Sequence, residues 1–142
     1  MENRVSKGTH EVLFREGEFA QSLYIVKRGQ VLCLKRSKDR LIPVFRAEEG
    51  DILGENAILN TGAYGYSAVT ITTAELMEIP SDSFKQILAK SPSWLLDLTS
   101  TMVQRFENTA NLIAENRVFN DSIISEEDFP SSLEVEFKKL LN

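Results

Sequence analysis

The chain is short of the residue types that most catalytic and metal-binding chemistry needs. Its 142 residues include one histidine, His10, and one cysteine, Cys33. A metal centre on a small β-barrel needs several converging ligands, and a single histidine cannot supply them. His10 sits in the strand-like stretch Thr9–Leu13, where it reads as a structural residue. A lone cysteine excludes an internal disulfide and fits a reducing cytoplasm. Within Val31–Leu34, Cys33 reads as a small buried hydrophobe without a histidine partner. These absences argue against an enzyme. Basic residues are also few, 16 against 21 acidic ones, and the net charge of -5 leaves no footprint for nucleic acid or anionic lipid. No apolar run approaches the roughly 18 residues that span a bilayer, and Met1–Gly8 has no apolar stretch that could act as a signal peptide. What is present is ordinary: 42% hydrophobic and 26% charged residues, enough for one cytoplasmic domain with a core.

From Thr9 to Pro80 the chain reads as short strands separated by glycines and charged turns. Leu23–Lys27 and Gln30–Lys35 are rich in apolar and β-branched residues, with Arg28-Gly29 as a tight turn between them. Leu41–Phe45, Ala68–Thr72 and Glu75–Ile79 continue the series. Such closely spaced strands predict a mainly β fold, a sandwich or barrel. The period then changes. Ser81 looks like the cap of a short helix running to Lys90, with Phe84, Ile87 and Leu88 on one side. Ser91-Pro92 restarts a helix that nothing interrupts until about Phe119. Met102, Phe106, Thr109, Ile113 and Asn116 on this helix follow the alternating four- and three-residue steps of a coiled-coil seam. The helix is long for so small a barrel, and a homodimer through it is the expectation. Residues 121–142 form an acidic extension, in which Pro130–Glu134 resembles a capping box before an amphipathic helix.

Three motifs occur in order. The first is Gly8-Thr-His-Glu-Val-Leu-Phe-Arg-Glu-Gly17, continuing into Leu23-Tyr-Ile-Val-Lys-Arg-Gly-Gln-Val31. The second is Gly50-Asp-Ile-Leu-Gly54-Glu55-Asn56-Ala57, followed by Tyr66-Ser67-Ala68. The third ends at Glu78-Ile79-Pro80, before the short and the long helix. From Gly8 to about Asn120 the chain thus resembles the cyclic-nucleotide-binding domain family, of the catabolite-activator type but without a DNA-binding domain. The resemblance implies a β jelly roll over residues 1–120, closed by the long helix at about 92–119, with 121–142 as an extension. It implies that Gly54, Glu55, Asn56 and Ala57 form a phosphate-binding cassette with Ser67 and Ala68, Glu55 accepting from a ribose hydroxyl. It places Thr109 against the base of a bound nucleotide.

Tyr66 departs from that pattern. The resemblance implies an arginine there, pairing with the cyclic phosphate. A guanidinium offers a fixed charge and a forked donor pair, a phenol one neutral donor. Losing two charge-assisted bonds costs roughly 3–6 kcal/mol, which takes a micromolar site to about 0.1 mM or weaker. The loop Asn60–Gly65 contains no lysine or arginine to substitute. The expected function is a regulatory sensor domain with weak or lost binding of cyclic AMP and cyclic GMP, its ligand a cyclic nucleotide or another small anion. The alternative is a ligand-free pseudo-receptor, a dimeric scaffold for a protein partner. Neither reading involves DNA, membrane, metal or catalysis.

Overall fold

The computed structural model describes residues 3–116 and 123–142. Among the described residues, eight strands form two antiparallel sheets. They are β1 (Asn3–Lys7), β2 (Val12–Phe14), β3 (Ser22–Arg28), β4 (Val31–Ser37), β5 (Arg40–Ala47), β6 (Ile52–Leu53), β7 (Ser67–Thr70) and β8 (Ala74–Pro80). One sheet has the order β1-β8-β3-β6, the other β2-β7-β4-β5. This is the expected jelly roll, followed by three helices: α1 (Ser81–Ala89), α2 (Ser93–Glu115) and α3 (Ser131–Leu141).

The sequence of β4 explains its place. Val31, Leu32, Cys33 and Leu34 are all fully buried, as an unbroken apolar strand must be when both of its faces are covered. Side chains alternate across a strand. Val31 and Cys33 therefore join the core between the sheets, together with Val44 and Ala68. Leu32 and Leu34 point outward, into a second cluster with Leu41, Val69, Phe129 and Phe137. The β3–β4 turn depends on Gly29, whose φ is 91°. A Cβ there would collide with the carbonyl oxygen of Thr73, so no other residue fits.

The helix boundaries differ from the sequence expectation. Pro80 and Pro92 take the N-cap positions of α1 and α2, and neither helix has a side-chain cap. Ser81 is instead the first residue of α1, and its N–H donates to the carbonyl of Gln21. Ser91 closes α1 from behind, its hydroxyl donating to the carbonyl of Ile87. Asn116 follows the last turn of α2, and the expected continuation over Arg117–Phe119 lies outside the described residues. The capping box at α3 is also absent: Glu134 turns its carboxylate onto the barrel. It accepts from Arg40 Nε at 2.9 Å and Nη2 at 3.2 Å, and from the Leu41 N–H at 3.1 Å. An arginine fork and a buried strand N–H outweigh one exposed helix-end N–H.

Helix α2 lies across β4 and β5. Val103, Ala110 and Ala114 are its buried positions, and the two alanines bring the helix close to the core.

Candidate functional site

The site lies where the β6–β7 connection meets α2. Gly54 follows strand β6, and its φ is 84°. A Cβ there would sit 2.9 Å from the Tyr64 ring. Glu55 and Asn56 follow, then a π-helical turn over Ala57–Thr61 that Gly62 ends in the left-handed region. The helical stretch after Gly54 is short, with Glu55 and Asn56 in α-helical conformation running straight into the π-helical turn.

Tyr66 stands just before β7 and is only 2% exposed. Its ring lies 5.5 Å from that of Phe14 in the barrel and 6.1 Å, edge-on, from Phe106 on α2. Its hydroxyl accepts the Gly54 N–H at 3.0 Å. The donor that Gly54 could aim at a ligand is therefore already satisfied by the protein. Burial holds the phenol far above its ordinary range, and Cys33 and Glu55 add to the shift. Tyr66 is a neutral group here.

Between this loop, the barrel and α2 lies a cavity of about 440 Å³. Phe45 and Ile52 line it from the barrel, and Thr99, Met102, Val103 and Phe106 from the helix. Phe45 and Phe106 meet edge to face at 5.7 Å. Glu55 and Tyr66 complete the lining, so no lysine, arginine or histidine among the described residues lines it. Burial raises the Glu55 carboxyl to about 7, against one bond from its own backbone N–H, and Glu107 raises it further. Glu55 Oε2 is buried without a hydrogen-bond partner. Asn56 donates from Nδ2 to Glu107 Oε1 at 3.1 Å, while its Oδ1 is also buried and unpartnered.

Other expected ligand residues lie elsewhere. Ser67 turns away, its hydroxyl accepting the Glu16 N–H at 2.9 Å. Ala57 and Ala68 are fully buried in the core. Thr109 is exposed and donates to the Arg105 carbonyl at 3.0 Å. Of the expected seam, Met102 is 63% exposed, whereas Phe106 and Ile113 pack against the barrel core.

The cavity residues Phe45, Ile52, Thr99 and Val103, and the Asn56–Glu107 link, carry no sequence signal. Lys35 was also unforeseen. Its ammonium donates to the Gly65 carbonyl, beside Tyr66, and lies 3.6 Å from Glu16. It is engaged outside the cavity.

A two-sheet roll with a glycine-bearing loop after β6, and a helix laid across its opening, defines a β-roll binding domain. Residues 4–91 match the family described as the cyclic nucleotide-binding domain. This chain belongs to that family. It is 30% identical over 111 residues to the cAMP-activated global transcriptional regulator CRP of Salmonella typhimurium, covering 77% of this chain and 52% of that protein. The chain thus spans about half the length of this curated relative. Among solved structures, an EAL enzyme with cAMP bound shares the fold at a TM-score of 0.69 and 20% identity, covering 78% of this chain and 30% of that one. The catabolite activator protein of Thermus thermophilus matches at a TM-score of 0.65 and 21% identity, over 78% of this chain and 52% of that one.

Proposed function

We propose that this chain is a regulatory sensor domain of the cyclic nucleotide-binding family whose cassette no longer takes a cyclic phosphate. One observation carries the reading: the Tyr66 hydroxyl occupies the Gly54 N–H that an anion would need. The cavity adds two further obstacles, a carboxyl at its wall and, among the described residues, no lining cation to offset it. A phosphate there would lose its hydration and gain no opposite charge, which is unfavourable. Residues 1–120 form the sensing unit, and 121–142 an extension bound to it. The unit acts in the cytoplasm as a homodimer through α2. Occupation of the cavity shifts α2 relative to the barrel, and a partner protein reads that shift.

Isothermal calorimetry with cyclic AMP and cyclic GMP tests this reading. The expected dissociation constants are about 0.1 mM or weaker, and a value below about 10 μM for either would overturn it. Tyr66→Arg frees the Gly54 N–H and adds a cation. It should strengthen cyclic AMP binding by at least about tenfold.

A further inference from the structure

The cavity under α2 has a chemistry of its own. Its volume, about 440 Å³, lies within the roughly 300–1,000 Å³ usual for small-molecule sites. Its walls are aromatic and aliphatic, from Phe45, Val103, Phe106 and Met102. Two of its polar groups make hydrogen bonds within the protein. The Tyr66 hydroxyl holds the Gly54 N–H, and the Thr99 hydroxyl donates to the Leu95 carbonyl at 2.7 Å. The third, Glu55, keeps an oxygen buried and unpartnered. Buried acceptors are nearly always paired in folded proteins, so each exception needs an explanation. Above about pH 7, where this carboxyl is ionised, an apolar enclosure with one acceptor at its wall fits a ligand that is apolar except for one donor. Glu107 beside Glu55 and the absence of a lining cation make the same space hostile to an anion.

Building on the proposed function, in which the phosphate site is closed, we propose that this cavity binds an uncharged aromatic molecule bearing one N–H or O–H donor. The donor meets the Glu55 carboxyl at the cavity wall, and the rings lie against Phe45 and Phe106. The ligand class therefore lacks the negative charge of a cyclic nucleotide, although the cavity lies under the same loop.

Two fluorescent probes with one skeleton test this. Phenylnaphthylamine is uncharged, with a single N–H; anilinonaphthalene sulfonate carries the same ring system and an added sulfonate. The purified chain should bind the amine saturably at one site per protomer, and the sulfonate at least about tenfold more weakly. Glu55→Leu removes the acceptor and should weaken the amine by about tenfold. Glu55→Gln keeps an acceptor without charge, so it should retain the amine and narrow the gap to the sulfonate. No saturable binding of the amine, or equal binding of both probes, overturns the inference. So does amine affinity unchanged in both variants. If the variants fail to fold, the wild-type comparison of the two probes still decides. A cyclic AMP titration run in parallel separates the two proposals. Tight cyclic AMP binding overturns the proposed function, whereas failure of the amine without cyclic AMP binding overturns this inference alone.

Discussion

Burial raises the Glu55 carboxyl to about 7, and Glu107 adds to the shift. The groups around it are Glu107 on α2, Cys33 on β4 and Tyr66 before β7, and none of them is a cation. A carboxyl whose folded-state pKa exceeds its unfolded value binds its proton more tightly when folded. Its contribution to stability is present below the unfolded value of 4.5 and is lost as pH rises through about 7. A shift of this size corresponds to at most about 3 kcal/mol. Glu55→Gln removes the titration. The variant should match the wild type near pH 5 and be the more stable of the two at pH 8, by up to that amount. Chemical denaturation at the two pH values measures the difference, and a constant gap would show that Glu55 does not titrate in this range. At this scale the sequence was half legible. It showed that Tyr66 stands where a cation is expected, because residue identity is plain in a motif. It could not show the phenol turned onto the Gly54 N–H, because that depends on how a glycine-bearing loop bends in space.

Helix α2 presents two faces, and only one of them is free. Phe106 and Ile113 pack on the barrel, with Val103, Ala110 and Ala114 buried beside them. Leu98, Met102 and Leu112 are 50%, 63% and 59% exposed. With Leu95, Arg105, Thr109 and Asn116, these outward positions follow alternating three- and four-residue steps, a coiled-coil period turned away from the barrel. Both registers are present in the sequence, and periodicity alone cannot say which one the barrel takes. A substitution that tests the dimer therefore belongs on the outward face. Phe106→Asp would place a charge against Phe45 and Tyr66 and unfold the barrel, whatever the assembly. Leu98→Asp touches only the free face. If α2 forms the dimer, each buried leucine contributes roughly 1.5–3 kcal/mol. A twofold seam loses two of them, which weakens association by at least about 100-fold. Light scattering should then give a dimer for the wild type and a folded monomer for Leu98→Asp. A monomeric wild type would sink the dimer.

Among the described residues, two hydrophobic clusters share one sheet. The inner cluster fills the space between the sheets and reaches α2, while the outer one lies between β4, β5, β7 and α3. The inner core was legible because strand pairs and glycine turns are local patterns. The outer core was not, since the apolar side of α3 says nothing about what covers it. Glu134 shows why: its neighbours suggest a helix cap, yet its carboxylate binds Arg40, 94 positions away. Phe137 is the centre of this docking. It is fully buried, lies 6.0 Å from the Phe129 ring and meets His10 edge-on at 5.3 Å. Phe137→Ala should therefore cost about 3–5 kcal/mol, the usual range for emptying a buried aromatic site. Because the outer cluster lies on the far side of the sheet from the cavity, binding of phenylnaphthylamine below the melting temperature should not change. Thermal denaturation with and without the probe measures both effects. A melting temperature unaltered by Phe137→Ala would mean that α3 does not hold this sheet. Loss of probe binding together with stability would mean that the extension and the cavity are coupled, so that the C-terminal segment belongs to the sensing unit.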